Sequence, residues 1–533
     1  MSINMTKAGK FLMLIVLLLG IFFRFANLDQ KVYSADEVRS ILRLTGSTSE
    51  QFVEQVFAGD IVTNTQIQNY QKVMPERTLT DSINAIASVP AHPPLYQLIT
   101  RFWMQVFNAP ISARVSSILF SLIGFACVYW LCIELFKFSL VGWVAITLLA
   151  ISPFHILVAQ NTTQYSLCMV TILLSSAALL KALRVGTKSN WLIYSITLAL
   201  GFYTHLFFNL IVFGQGIYVV IRERLRLSKN LIAYFLASLG GILMFTPWIW
   251  VIVTNVEGLE KNRHPKPTIP EIVRFLISDL GNVFIDFHDQ TRSEKYFDFL
   301  ILILIAYSLY FLCRHTAMKV WLFILILIGL TSTALTVTDL IKPGIGLLRS
   351  RYFLPSYLGI QLTVAYLIAN SISSTSLKIW QQRLWQLIFV SLISLGVISG
   401  VVISQSRDLA LDDQKGTASS LNLQLAPVIN KAEQPLIISE ATHSFVLALS
   451  YLVDDKVKYQ LVKPDDLAEW EEKINLSEVY NNFSDVFVYV PDKPFLDFLN
   501  KDKNFETELV PTSPEGKHKI LYRIIPKKSG KQA

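Results

Sequence analysis

Eleven long apolar segments restrict this chain to a protein that lies in a membrane. A helix needs about 20 mostly apolar residues to cross a bilayer, and segments of this kind recur between residues 10 and 404. Gly201, Thr204 and His205 divide the stretch 191–221, which is too long for one span and too short for two full ones. We predict spans near residues 10–28, 114–136, 139–159, 164–184, 191–203, 206–221, 230–254, 296–313, 319–338, 352–371 and 382–404.

The composition excludes an ordinary soluble protein. Of the 533 residues, 52% are hydrophobic and only 16% are charged, whereas soluble domains contain about 25% charged residues. The net charge of +8 is explained by Lys and Arg in cytoplasmic loops, so we expect no nucleic-acid partner. The four cysteines lie in apolar segments without metal-ligand spacing, and neither a disulfide framework nor a structural zinc site is predicted.

The basic residues between the segments predict the orientation. With the N-terminus in the cytoplasm, every inner loop carries Lys or Arg, while the short outer connections 161–163 and 204–205 carry no charge, as the positive-inside rule requires. The first apolar run could pass for a secretory signal, but no small-residue cleavage site follows it, so we interpret it as an uncleaved span. The chain is thus expected in the cell (plasma or inner) membrane, with 29–113, 255–295 and the tail outside.

The tail has a different character from the rest of the chain. From residue 405 to 533 the charge rises and short β-branched runs appear, which are typical of strands. Helical stretches near 443–453 and 494–501 alternate with them. We predict a polytopic α-helical module over 1–404 and a small extracytoplasmic α/β domain over 405–533. The predicted strands are 435–439, 456–462, 485–490 and 519–525.

A short helix precedes the second span. Residues 94–107 carry Arg101 and Trp103 within an otherwise apolar run. This pattern is typical of a helix that lies on the membrane surface, although a further short span is the alternative.

Two acids follow the first span. Asp36 and Glu37 lie where low-dielectric lipid can raise the pKa of a carboxyl group and suit it to act as a base. The alternative is an ordinary pair of solvated acids in the first turn of a helix, where Asp and Glu are favoured.

Some basic residues lie on the outer side, although Lys and Arg are generally concentrated in the inner loops. Arg114 lies at the entry to the second span, and Lys342, Arg349 and Arg351 share a late outer loop. Arg can bind phosphate oxygens through two parallel hydrogen bonds. The alternative is that these side chains reach lipid headgroups or pair with outer acids.

Histidines also lie near the outer ends of the segments. His92 precedes two prolines, and His155 and His205 follow within or between later spans. Together with the acids they could form a divalent metal site, but histidines of this kind more often hydrogen-bond within the bundle, and no ligand spacing favours a metal. No cofactor is therefore certain.

Six short motifs, in this order along residues 10–370, resemble the GT-C superfamily of lipid-dependent glycosyltransferases. The resemblance is to glycosyltransferase family 39, the protein O-mannosyltransferase and aminoarabinose transferase group. The motifs are YSADE, AHPPLYQL, ARVSS, SPFHILVAQ, YTHLF and RSRYFLP.

The resemblance implies roles for individual residues. Asp36 would be the catalytic base and Glu37 would help hold the site. Arg114 would meet the donor phosphate or stabilise the acid pair, and we add Lys342, Arg349 and Arg351 as donor-phosphate residues. His92, Tyr165 and His205 are expected in the substrate cavity.

The implied reaction moves a sugar, a hexose or a pentose, from a polyprenyl-phosphate donor to a lipid, glycan or protein acceptor, with inversion. One segment departs from the pattern. Many bacterial relatives carry a Glu-Ala-Arg-like stretch before the tyrosine of the fourth span, whereas this chain reads QNTTQYSL. A lipid or solute transporter and a non-catalytic scaffold remain alternatives. The near absence of charge in the span centres and of repeats favours an outer-face enzyme over a transporter.

Overall fold

The computed structural model describes residues 7–107, 109–256, 267–287, 292–342, 346–408, 418–464, 466–511 and 520–527. The chain forms two compact units. The helical unit comprises residues 1–29, 87–100 and 113–407, and the sheet unit comprises residues 30–86, 101–112 and 408–533.

Most of the chain is helical. From the N-terminus to the end of the last apolar segment the helices are α1 (Lys7–Phe25), α2 (Ala35–Leu44), α3 (Ser49–Val56), α4 (Asn64–Asn69), α5 (Leu79–Ala87), α6 (Leu95–Phe107), α7 (Ile111–Phe136), α8 (Ser139–Ile151), α9 (Pro153–Gln160), α10 (Tyr165–Val185), α11 (Lys188–Phe202), α12 (Phe208–Arg222), α13 (Lys229–Thr254), α14 (Ile269–Asn282), α15 (Arg292–His315), α16 (Met318–Ile341), α17 (Leu354–Ser373) and α18 (Ile379–Gln405). The tail adds α19 (Ala418–Asn430), α20 (His443–Ser450), α21 (Leu467–Lys473), α22 (Leu476–Asn482) and α23 (Lys493–Asn500).

The chain is a multi-pass membrane protein. Within the described residues, eight helices are long and apolar enough to cross a bilayer, or nine if the bent pair of α8 and α9 counts as one span. They coincide with nine of the eleven predicted segments. The other two segments correspond to α11 and α12, which have 15 residues each. The helix predicted to lie on the membrane surface is α6, whose 13 residues extend about 20 Å and fall short of the bilayer core.

The third predicted span is broken rather than straight. Helix α8 ends at Ile151, and α9 begins at Pro153 with a change of direction of 60°. Proline has no backbone N–H, so it cannot satisfy the carbonyl four residues earlier, and its ring clashes with that turn. The break therefore leaves the carbonyl of Leu149 without its helical partner.

A buried arginine in α1 donates hydrogen bonds to carbonyls at this break. The Arg24 side chain is fully buried, and its guanidinium donates to the Ala150 carbonyl at 2.6 Å and to the Leu149 carbonyl at 3.1 Å. It also donates to the Gly20 carbonyl and to the Ser121 hydroxyl. A side chain at Gly20 would overlap the backbone of Ala150, so glycine is needed there for α1 to approach α8.

The sheet unit contains a six-stranded sheet in the order β1-β3-β2-β4-β6-β5. Strand β2 pairs in parallel with β3 and β4, and the other pairs are antiparallel. The strands are β1 (Ile61–Thr63), β2 (Pro435–Ser439), β3 (Lys458–Leu461), β4 (Asp485–Tyr489), β5 (Phe505–Leu509) and β6 (Leu521–Pro526). Four of them overlap the predicted strands.

The edge strand β1 comes from the first loop rather than from the tail. Its Ile61 lies opposite Gln460 and its Thr63 opposite Lys458. Beneath the sheet, Leu436, Val488, Trp470 and Phe495 share one apolar core with the helices of the tail. The first loop and the tail therefore fold together as one unit.

Helix starts in the first loop follow from a repeated local signal. Ser34 with Glu37, Thr48 with Gln51, and Thr63 with Gln66 each form a reciprocal capping box. In this motif the hydroxyl accepts the N–H three residues on, and the longer side chain accepts the N–H of the capping residue. These pairs define the starts of α2, α3 and α4.

Replacing Arg24 with Met should destabilise the helical unit by about 3 kcal/mol, because buried carbonyls lose charged donors and cannot reach water. The unfolding temperature of the protein in detergent, followed by size-exclusion chromatography after heating, measures this change. Arg184→Met is a matched control: the Arg184 side chain is half exposed, and its partner Glu134 keeps a second cation in Lys137, so this loss should be smaller. Equal unfolding temperatures of the two variants would contradict the role of Arg24.

Candidate active site

Two buried acids fix the segment that leads into α17. Asp339 accepts the backbone N–H groups of Leu347 and Leu348 at 2.7 and 2.9 Å, and the Ser350 hydroxyl donates to Asp279. Residues Ser350–Phe353 form a 3-10 turn, which places Arg351 at the start of α17. The acids thus hold the backbone on both sides of Arg349.

Arg351 is buried among aromatic rings of the helical unit. Its guanidinium carbon lies 5.6 Å from the ring centre of Tyr165 and 5.7 Å from that of Tyr352, and the residue is 8% exposed. The faces of aromatic rings attract cations, most strongly where water is excluded. Arg351, Tyr165, His205, Phe207 and Tyr352 line one small cavity of about 20 Å³, room for a water-sized group.

His205 is the neutral partner in this cavity. Its Nδ1 accepts the backbone N–H of Phe207 at 3.1 Å, which leaves Nε2 to carry the proton. Burial, and then the positive charge of Arg351, lower the pKa of His205 to about 4. At neutral pH the imidazole can donate one hydrogen bond, and Arg351 supplies the positive charge.

His92 lies beside the turn that precedes Tyr165. The Gln164 side-chain amide donates to Nδ1 of His92 at 3.2 Å. Residues 161–164, where the sequence departs from the family pattern, form the buried turn between α9 and α10. A neutral amide therefore contacts His92 at this position.

The other predicted phosphate residues do not line this cavity. Arg114 is fully buried in the first turn of α7 and donates to the Leu28 carbonyl at 2.9 Å. Lys342 is exposed at the end of α16, and Arg349 is half-buried. The structure therefore brings together Tyr165, His205 and Arg351, and these three cations are not among the residues that line the cavity.

Asp36 and Glu37 begin α2 in the sheet unit. The Asp36 carboxylate pairs with Arg39 at 2.9 Å, and its side chain is 35% exposed. Glu37 is fully buried and accepts the backbone N–H of Ser34 at 3.0 Å. The capping contact of Glu37 fixes the first turn of α2, and with it the backbone of Asp36.

The described part of the chain contains no group of three His, Cys, Asp or Glu side chains that could hold a metal ion. His155, one of the histidines considered for such a site, lies against the Gln361 side chain at 2.9 Å.

Comparisons with known proteins give one family-model match and one shared fold. The model of the family described as dolichyl-phosphate-mannose-protein mannosyltransferase matches residues 91–250, less than a third of the chain. The apo crystal structure of ArnT from Cupriavidus metallidurans is similar with a TM-score of 0.54 and 13% identity, and ArnT bound to undecaprenyl phosphate with 0.52 and 12%. Each comparison covers 97% of this chain and 98% of ArnT. The resemblance to GT-C glycosyltransferases is confirmed. A search of curated protein sequences finds no match.

The family match covers only part of the cavity, because Arg351 and Tyr352 lie outside the matched residues. The matched residues 91–250 include His92, Arg114, Tyr165 and His205. At this level of identity the likeness to ArnT shows a shared GT-C fold, and the roles of individual residues follow from their chemistry.

Sequence reasoning missed several neighbours of the predicted residues. Tyr352 lines the cavity beside Arg351, and Phe207 lines it beside His205. Their closeness in sequence to these two candidates was the signal that could have identified them. The Ser-x-x-Glu capping signal at Ser34 would have identified the part that Glu37 takes in starting α2. Nothing in the sequence around His443, which begins α20, indicated its burial, because the residues around it come from the first loop.

The burial of His443 predicts an acid-sensitive sheet unit. Burial and then the charge of Arg39 lower the pKa of His443 to about 4, below the ordinary 6.5. Between about pH 6.5 and pH 4 the unfolded chain binds a proton that folded His443 does not, so stability falls as the pH falls through this window.

His443→Gln should remove this pH dependence, so that the variant loses about 2 kcal/mol less unfolding free energy than the wild type at pH 4.5. Unfolding temperatures at pH 7 and pH 4.5 measure it. His315→Gln, at an exposed position at the end of α15, is the control. The same loss of stability between the two pH values in both variants would contradict the prediction.

Proposed function

We propose that this protein is a membrane glycosyltransferase that moves a sugar from a polyprenyl-phosphate donor to an acceptor on the outer face of the membrane. The observation that carries the proposal is the buried Arg351, held between Tyr165 and Tyr352 in a helical unit with a GT-C fold. ArnT, a protein of similar fold, binds undecaprenyl phosphate, and a lipid phosphate of this type is the carrier proposed here.

The donor side of the reaction needs a fixed positive charge. When the bond between the sugar and the phosphate oxygen breaks, the electron pair leaves with the phosphate. A cation preorganised in a poorly hydrated pocket stabilises that charge without reorganising at the moment of reaction. Arg351 is proposed for this role, with the Nε2–H of His205 as a further donor and with Arg114, Lys342 and Arg349 as additional donor-phosphate residues.

The acceptor side needs a base. Asp36 is proposed to take the proton of the acceptor hydroxyl or amine while the acceptor atom bonds to the anomeric carbon. A single displacement of this kind inverts the anomeric centre. Glu37, through its capping contact with Ser34, is proposed to hold the first turn of α2 that carries Asp36. His92 and Tyr165 complete the proposed substrate cavity.

The finer topology also belongs to the proposal. We propose eleven spans, in which the 15-residue helices α11 and α12 each cross, with the N-terminus in the cytoplasm. The first loop and the tail then lie outside, in the plasma or inner membrane. The parallel and antiparallel strands of residues 435–526, with their packed helices, support a tail domain of the α/β class.

Transfer by the purified protein in detergent from a synthetic polyprenyl-phosphate sugar tests the mechanism. Asp36→Asn keeps the size of the side chain and removes the base, so it should lower kcat by about 100-fold or more and leave donor binding intact. Asp60→Asn, an exposed acid of the same loop, should retain full activity. Near-normal turnover by Asp36→Asn would defeat the assignment of Asp36, and a wild type inactive with every donor would favour a transporter.

Arg351→Ala should weaken donor binding and slow turnover together, because Arg351 is proposed to contact the phosphate before and during transfer. Arg351→Lys should restore only part of the activity, since Lys cannot form the two-pronged contact. Arg226→Ala, at an exposed position between α12 and α13, is the control. Full rescue by Lys would argue against a bidentate contact with the phosphate.

The proposed orientation predicts which positions a membrane-impermeant thiol reagent reaches in intact cells. In a Cys313→Ser background, Asp60→Cys and Glu471→Cys should label, because both positions are exposed and lie in the first loop and the tail. Arg226→Cys should label only after the cells are opened. Protection of the first two positions in intact cells would overturn the orientation.

A further inference from the structure

Helix α2, which carries Asp36, packs on a helix of the tail within the sheet unit. Tyr33 lies just before the capping residue Ser34, and its ring packs against that of Tyr451 in a tilted arrangement, with centroids 4.3 Å apart and an angle of 30°. Tyr451 is the residue that ends α20. The first turn of α2 therefore rests on the C-terminal end of α20.

A buried glutamine links the same two helices further along. The Gln71 side chain is fully buried. Its amide nitrogen donates to the Val38 carbonyl of α2 at 3.1 Å, and its amide oxygen accepts the Tyr451 hydroxyl at 3.5 Å. Tyr451 is thus linked to α2 by two routes: its ring packs against Tyr33, just before the helix, and its hydroxyl reaches Val38 by way of Gln71.

The end of α20 is in turn fixed by the first loop. The last carbonyl groups of a helix have no partner within the helix. The Ser450 carbonyl accepts the side-chain amides of Asn64 at 3.0 Å and Gln68 at 2.7 Å. Asn64, which is fully buried, also accepts the hydroxyl of Tyr459 in β3 at 3.2 Å. A continuous set of contacts therefore runs from the sheet through α20 to α2.

The far end of α2 is anchored separately. Buried Arg101 donates to the Leu44 carbonyl at 2.8 Å, and the Ser82 hydroxyl donates to the same carbonyl at 2.8 Å. With that end fixed, the contacts of Tyr451 are among those that place the Asp36 end of the helix. Catalytic groups lose about 100-fold in rate when they are misplaced by about 1 Å.

We propose that Tyr451 is a positioning residue for the transfer reaction, and that the tail acts in the reaction by holding the Asp36 turn of α2 through Tyr451. This inference rests on the proposed function, in which Asp36 is the base. Tyr451 acts on the reaction through Tyr33 and α2. Its loss should therefore slow the chemical step without weakening donor binding.

The test compares variants of the full-length protein in the transfer assay with a synthetic polyprenyl-phosphate sugar. Tyr451→Ala removes both contacts and should lower kcat by about 10- to 100-fold, with the KM for the donor changed by less than threefold. Tyr451→Phe keeps the ring contact with Tyr33 and should retain kcat to within about threefold. Rescue by the retained ring distinguishes positioning of the helix from general loss of structure.

The matched control is Tyr480→Ala. Tyr480 lies on α22 of the same unit, 36% exposed, with its ring 5.0 Å from Phe505, and its loss should leave kcat unchanged. Hydrogen exchange of the amides in residues 35–44 should be faster in Tyr451→Ala than in Tyr480→Ala. Should Tyr451→Ala not fold, Tyr451→Leu keeps apolar volume without an aromatic face and should still lower kcat.

The outcomes separate this inference from the proposal on which it rests. A wild type without transfer activity overturns both. An active wild type with an inactive Asp36→Asn variant, in which Tyr451→Ala keeps its kcat or loses no more than Tyr480→Ala, overturns only the role of Tyr451. A loss that appears in donor KM rather than in kcat would also overturn it.

Discussion

The helical unit depends on the hydrogen bonds of Arg24 with the broken helix α8–α9. A charged side chain in an apolar segment is costly unless every donor finds an acceptor, and a carbonyl freed by Pro153 is costly unless a donor reaches it. The guanidinium of Arg24 donates to the carbonyls of Leu149 and Ala150, so the charge and the carbonyls satisfy each other. The glycine at position 20 permits the close approach on which these contacts depend.

A short stretch of chain joins the break at Pro153 to the cavity around Arg351. Helix α9 carries the backbone to the buried turn 161–164, and Tyr165 follows at the start of α10. Gln160 ties this path back to α1, because its side-chain amide donates to the Phe23 carbonyl at 2.8 Å. Tyr165 then packs against His205 and Arg351. The placement of the proposed phosphate-binding group thus follows from packing that begins at the first helix.

The sequence was informative where a signal is local. Apolar length located the helices, β-branched runs located β2 and β4, and the basic character of Arg351 made it a candidate. The three-residue strand β1 could not be predicted, since it is stabilised by pairing with Tyr459 and its neighbours and has no pattern of its own. The same holds for the cavity: Tyr165, His205 and Arg351 were candidates separately, and only the packing of distant helices places them together.

The sheet unit can form only after most of the chain has been synthesised. Asn64 and the Ser450 carbonyl that it binds are 386 residues apart. At synthesis rates of about 5–20 residues per second, the first loop waits roughly 20 to 80 s for its partner strands. During that interval β1 has no neighbour to pair with, and the apolar helices α7 to α18 are synthesised. Nascent chains halted before residue 458 would therefore expose an unpaired first loop, a feature by which a chaperone or protease could distinguish incomplete from finished molecules.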